Sequence, residues 1–547
     1  MRGIVTSDGR ESAPFTFSSG DKVFDDKLQL RFRFCTKYCW HFDEEAFGCH
    51  AECLAFASRL QTPVVDLFPA TEYSYEPAVS DEDRRRKHIR HVVSQSLYQV
   101  YGKLPLELWL MVAAHLVPVY AVTSLFTAPQ SSICKIDASR DVWATYLDVD
   151  GVEYVKTISN RRCLGGQLIW EAMPLSVSGF FYVLEDHFGI RRVTRDPPIP
   201  QLPSESDKST WWRTISLSQR DVEFTTDGFK LRGLDMTWPN NALWLDPLPP
   251  SELKSLSFHP AAPRPGSKMI SLGLNEPNII GYSVCWSGSL IHLHANRLGE
   301  SLEFYREIDA HHANPVWTFL PLNPGESITE VWQRKGRPPL EVALAFRTSQ
   351  GRTMTTGPYP LRALKHLLRW SCVAKLPENT QGHMFFNHSA SAVHTLAGPI
   401  QYPDGDRPGP SPRQTALSPY PHLPSAGSAF HSAASLRDVV EVVVSESVDE
   451  AQPRVTGLLL RYKNGNQASV GSFRFRQNAV RLSPSNSSGL FLGMGLGSDR
   501  WHVGKVQVSP PEDRTSFQWQ EFPWDGTLEW WFRSDQCQVS HTSEAMQ

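Results

Sequence analysis

The chain has 547 residues, 41% of them hydrophobic and 11% aromatic, with 54 lysines and arginines against 57 aspartates and glutamates. That length is enough for roughly two to four domains with real cores, and a formal net charge of -3 excludes the chain-wide basic field that binds nucleic acid or acidic membrane. The opening run MRGIVTSDGRESAPF has no apolar stretch of signal-peptide length, so a cytoplasmic or nuclear protein with reduced thiols is expected.

Four of the nine cysteines cluster near the N-terminus as Cys35, Cys39, Cys49 and Cys53, spaced C-x3-C-x9-C-x3-C, with His41 and His50 inside the cluster. A structural zinc ion takes four such ligands at tetrahedral corners and would fix a small unit that lacks enough core of its own. Cys49 and Cys53, four apart, would share one face at the start of a helix, with Cys35 and Cys39 supplied by a preceding strand and turn. The other reading is four unbonded, partly buried thiols, since the x3 and x9 spacings are not those of a common finger. Cys134, Cys163, Cys285, Cys372 and Cys537 lie far apart without a disulfide framework. Residues 1–79 form this Cys-rich unit.

Residues 80–135 carry helical periodicity. Ser80 and Asp83 make a capping-box-like start, acids fill the first turn, and Ile89, Val92, Val93, Leu97, Val100 and Tyr101 trace one face. Within that helix RRRKHIR, residues 84–90, reads as an import signal or phosphate patch, or as a solvated face laced with Asp/Arg pairs. In LPLELWLMVAAHL, residues 104–116, Leu104, Leu108, Val112 and Leu116 recur every four residues beside Leu106 and Trp109. One helix then carries a broad apolar stripe, with Pro105 suited to its first turn and Glu107 to the positive end of its dipole. The run from Leu108 to Phe126, 19 residues long, falls within the roughly 17 to 25 that span a bilayer. Glu107, His115 and Pro118 are costly in hydrocarbon, so a partner protein, not lipid, is expected to cover the stripe.

The run Leu104, Pro105, Glu107, Leu108, Trp109, Leu116 resembles the opening of an F-box, over roughly one-tenth of the chain. The resemblance implies binding to the small adaptor of a cullin-RING ubiquitin ligase through Leu104, Pro105, Leu106, Leu108, Trp109, Val112 and Leu116, the remainder choosing what is ubiquitylated. Some fungal proteins similar to this chain pair a Cys and His cluster with a downstream F-box in the same order.

From about Val142 to Ala374, Trp, Tyr and β-branched residues alternate with polar ones, and Gly and Pro punctuate the run: an all-β texture. Three segments repeat a strand, a turn and a returning strand: Tyr282, Val284, Trp286 toward Gly288; Val342, Leu344, Phe346 toward Gly351; and Leu458, Leu460, Tyr462 toward Asn464-Gly465. The middle one, ITEVWQRKG followed by LEVALAFRTSQGRTMTTGPY, resembles the strand pair of jacalin-type β-prism lectins and implies fold kinship only. Eight prolines between 399 and 424 predict a flexible, extended connection over 399–436. It separates a β region at 140–398 from a second at 437–547, which ends in GTLEWWF and either stands alone or completes the first.

No G-x-S-x-G, H-E-x-x-H, P-loop or G-x-G-x-x-G motif occurs in a suitable context. His292 and His294 share one strand face, and His311-His312 could join them, but no third ligand stands at a defined distance. Trp211-Trp212-Arg213 suits either a stacking site or a core strand. The expected fold is α+β: a small helical N-terminal region followed by a large, mainly antiparallel β domain, as a sandwich or β-prism. The expected function is a non-catalytic recruiter, with the ligase adaptor on one side and a protein or glycan target on the other, structural zinc as the one candidate cofactor, and neither nucleic acid nor membrane as partner. A β-prism-like carbohydrate-binding protein and an enzyme of another class are the alternatives.

Overall fold

The structure is a computed structural model and describes residues 2–6, 10, 12–13, 22–33, 46–50, 79–123, 132–172, 180–195, 210–216, 221–234, 242–247, 256–259, 267–309, 312, 315–335, 342–360, 367–388, 392–399, 409–421, 429–447, 454–484, 487–497 and 500–543. A small helical part and an extensive array of antiparallel sheets make up the fold. Two compact units divide the chain, one of residues 1–253 with 264–268 and one of 254–263 with 269–547. The division does not fall at the proline-rich segment.

In the first unit the expected helices form as α1 (Val79–Tyr101) and α2 (Leu106–Thr123). Asp81 and Glu82 stand in the first turn of α1, where anions offset the exposed N–H groups. Gly102, at φ 54°, ends it in the left-handed conformation that favours glycine. Pro105 immediately precedes α2, its carbonyl accepting from the N–H groups of Leu108 and Trp109. The helices pack as a hairpin around buried Ile89, Val93 and Ala113, with Leu97, Leu116 and Val117 against them. RRRKHIR is neither a free basic patch nor simply a solvated face. Arg84 and Arg86 make the expected pairs at helical spacing, with Asp81 and Glu82, while Arg85 pairs with Asp150 and Arg90 Nε donates to the Leu110 carbonyl at 2.8 Å.

The β part of this unit has strand Val142–Val149 between Val152–Ser159 and Gln167–Trp170, and Asp221–Thr226 between Ser132–Asp137 and Leu231–Leu234. Strand Phe180–Asp186 lies between Gly189–Thr194 and Trp211–Ser216. Val142, Ala144, Val155, Ile158, Phe181, Val183, Ile215 and Phe224 share one core. Trp211 is a core residue, and Arg213 makes a buried two-bond pair with Glu185 at 2.8 and 3.0 Å. Of the two sequence readings of Trp211-Trp212-Arg213, the core strand holds.

The second unit contains all three expected hairpins. Ile279–Trp286 pairs with Leu290–Arg297, Ala343–Thr348 with Thr353–Thr356, and Val455–Tyr462 with Gln467–Gly471. Gly288, Gly351 and Gly465 take positive φ at their turns, a conformation that costs glycine least. Residues before and after the proline-rich segment belong to one core: Trp286, Phe346 and Phe386 pack in the same cluster as Leu458, Leu492 and Trp530. Burying the apolar faces of both β regions against each other therefore completes a single unit.

The expected flexible connection is fixed over residues 409–421. The Gly409 N–H donates to Glu330, the Pro410 carbonyl accepts from Arg347, Gln414 accepts from Arg334, and Leu417 and Ser418 donate to Glu529. Tyr420 packs edge-on against Trp531. Polar groups bound to buried charges add to the apolar contacts that Ala416 and Tyr420 make with the Tyr359 and Trp531 cluster.

Candidate functional site

The α1/α2 hairpin has two unlike faces. Ala113, fully buried, and Leu116 and Val117 turn toward α1, and Trp109 stacks on Tyr101 with ring centroids 5.9 Å apart. On the other side Leu104, Leu108, Met111 and Val112 are 40, 44, 62 and 39% exposed. Leu108, Met111 and Val112 follow helical spacing on α2 and make one stripe, and Leu104 lies in the segment just before the helix. Of the seven residues picked from the sequence, Leu104, Pro105, Leu108 and Val112 are exposed, Leu106 and Trp109 are half-buried, and Leu116 packs on α1. Met111 was missed, although its offset of three from Leu108 was the available signal. No helix among the described residues is long and apolar enough to cross a membrane.

Cys49 and His50 lie on strand Ala46–His50, paired with Arg2–Thr6, so Cys49 does not begin a helix. Cys35, Cys39, His41 and Cys53 lie outside the described residues. Cys134, Cys163, Cys285, Cys372 and Cys537 are free thiols. His292 and His294 do share a strand face, their rings 6.4 Å apart. Each is occupied otherwise: His294 stacks on Phe304 at 3.7 Å and contacts Glu300 at 3.0 Å, while His292 meets the edge of Phe386. His311 is outside the described residues. Among the described residues no group of three or more His, Cys, Asp or Glu is placed to hold a metal ion.

The second unit carries a cleft of about 980 Å³. Its walls come from strands Val316–Pro321, Thr353–Thr356, Phe430–Ser435 and Gln467–Gly471, with Arg413 to Thr415 from the proline-rich segment and Asn464 from the Asn-Gly turn. Two of the three hairpins singled out in the sequence thus meet at one place. At its margin His431 bonds Glu529 at 2.8 Å. Burial pushes the Glu529 carboxyl up, but the bonds from His431, Ser418 and Leu417 outweigh it and hold the group down at about 2. This anchor fixes the segment that carries Arg413.

The chain matches no protein-family model, and no curated protein matches it.

Proposed function

We propose that the protein recruits targets to a cullin-RING ubiquitin ligase, docking on the small adaptor through the exposed face of α2. The observation that carries this reading is the division of the hairpin: its own packing uses Ala113, Leu116 and Val117, leaving Leu104, Leu108, Met111 and Val112 uncovered. A helix that presents Leu108, Met111 and Val112 at i, i+3 and i+4, with Leu104 just ahead of its first turn, suits insertion into a partner's groove. Leu104, Pro105, Leu108 and Val112 contact the adaptor in this reading, with Leu106 and Trp109 setting the stripe's orientation and Leu116 holding the hairpin together. The β unit holds the target, no catalytic step is assigned, and the cytosol or nucleus is the site of action. Any zinc bound by the N-terminal cysteines has a structural role.

Co-purification of the intact protein with the ligase adaptor tests this. The wild type retains the adaptor, and a Leu104→Asp, Leu108→Asp variant of equal thermal stability loses it; a wild type that retains none ends the proposal. A carbohydrate-binding protein is the second reading, favoured by the runs 328–336 and 340–359, which together resemble a lectin strand pair and of which residues 352–357 line the cleft. Glycan-array binding without adaptor retention decides for it.

A further inference from the structure

The cleft of the second unit is bounded by strand edges. Side chains along a strand point alternately to its two faces, so a cavity lying against a face touches every second residue. This one touches every residue from 352 to 357 and from 430 to 435. It therefore meets these strands along their hydrogen-bonding edges.

Sheet topology agrees. Among the described residues Val316–Pro321 pairs only with Ile279–Trp286, Thr353–Thr356 only with Ala343–Thr348, Phe430–Ser435 only with Thr527–Phe532, and Gln467–Gly471 only with Val455–Tyr462. Four outermost strands of four sheets converge on one space. They are tied to one another by side-chain bonds, Ser469 to the Phe319 carbonyl, the Gly471 N–H to Ser432 and Thr318 to Thr356, with the Trp317 N–H held by Ser472, not by ladders. An edge strand offers a row of N–H and C=O groups to any chain that can lie beside it.

Charge selects the occupant. The lining holds Arg352, Arg413, Arg437 and Lys463 against a single carboxylate, Asp438. Arg352 is engaged by Glu326 at 3.0 Å, whereas Arg413 and Lys463 have no ion-pair partner among the described residues. Met354, Phe430 and Tyr462 add apolar surface between the charges. We propose that the cleft binds an extended acidic polypeptide segment, which adds as a strand to one of these edges and sets alternating acidic and apolar side chains against Arg413, Lys463 and the apolar wall. An acidic glycan would find cations and hydroxyls here, but it has no use for four strand edges. The inference rests on the recruiter reading only in supposing that the segment belongs to the recruited target.

A fluorescein-labelled peptide of alternating Glu and Val, titrated with the full-length protein and followed by anisotropy, tests the proposal without the adaptor. Failure here therefore leaves the α2 interface untouched, and the converse holds. The wild type binds the peptide. Arg413→Glu and Lys463→Glu, both at exposed positions and checked for unchanged melting, each weaken binding at least tenfold, about 1.4 kcal/mol. The same peptide methylated on every backbone amide, which leaves neither edge able to donate as a strand, also weakens at least tenfold. No binding to the wild type, equal binding of the methylated peptide, or tighter binding of labelled polygalacturonate overturns the proposal, the last in favour of an acidic glycan.

Discussion

Arg85 Nε lies 2.6 Å from Asp150 Oδ2, and this pair fastens α1 to the turn between strands Val142–Val149 and Val152–Ser159. Asp150 and Gly151 take φ of 55° and 80°, the two consecutive left-handed residues of the tightest hairpin turns. The Arg85 guanidinium also sits 4.7 Å over the Phe188 ring. A Cβ on Gly151 would stand 2.9 Å from His88 Nδ1, so α1 rests directly on the turn. An Asp-Gly dipeptide thus supplies both the hairpin's geometry and the seat for α1.

Replacing Arg85 by Ala removes a charge-assisted bond and a ring contact, together worth roughly 2 to 4 kcal/mol at a partly buried site. Faster amide exchange in α1, with exchange in the second unit unchanged, is the expected result. Arg85→Lys recovers little of the loss, because an ammonium cannot reproduce the planar fork. Unaltered protection of α1 in Arg85→Ala would show that the pair does not seat the helix.

The two faces of α2 predict opposite mutational behaviour. Leu108→Asp alters only exposed surface and shifts stability by no more than about 0.5 kcal/mol, while abolishing adaptor retention. Ala113→Leu, at a fully buried contact with α1, overpacks the hairpin and costs roughly 1 to 3 kcal/mol. Thermal melts and pull-downs of the two variants separate the effects, and a large loss of stability in Leu108→Asp would show that this face is already covered.

Glu529 holds down the proline-rich segment through Leu417, Ser418 and His431. Its carboxyl, held at about 2 against an ordinary value of 4.5, contributes stability that is complete above the ordinary value and lost as pH falls through about 2. Glu529→Gln weakens these charge-assisted bonds, at a cost of roughly 1 to 3 kcal/mol. Limited proteolysis should then cut within 409–421 faster than in the wild type. Identical cleavage patterns would place the anchoring elsewhere, with Tyr420 on Trp531 as the next contact to test.

Lys230 is buried, bonded to Asp227 at 2.7 Å and placed 3.7 Å over the Phe188 ring. Burial, aided by the Arg232 charge and opposed by Asp227, brings its ammonium down to about 8 from an ordinary 10.5. Between those values the unfolded chain binds the extra proton, so this group makes the first unit more stable as pH rises from about 8 toward 10.5. Lys230→Met removes that slope and leaves Asp227 buried beside Arg232 alone, for a loss of roughly 3 to 5 kcal/mol at neutral pH. Urea melts of both proteins at neutral pH and at pH 9 read the difference; the same pH slope in both would refute the assignment.

The helical hairpin and the three β hairpins were legible in the chain because each depends on residues close in sequence: four-residue spacing around Leu108, alternation through Trp286, Phe346 and Tyr462, glycine at the turns. The candidate sites were only half legible. Spacing identified the stripe of Leu104, Leu108 and Val112 but assigned Leu116 to the same outward face, since periodicity cannot say how wide a sector a neighbouring helix will cover. The basic run RRRKHIR gave no hint of Asp150, which lies more than sixty residues away.

By itself the sequence determined the class of fold, the order of helical and β regions and the local turns, all set by short-range sterics, side-chain periodicity and hydrophobic spacing. The tertiary structure alone decided that residues 269–399 and 429–542 share one core, that a proline-rich segment is pinned by a buried glutamate, and that four strand edges enclose a cleft. The physical reason is that strand pairing and burial join residues far apart along the chain, and neither composition nor local pattern records which distant partner each one meets.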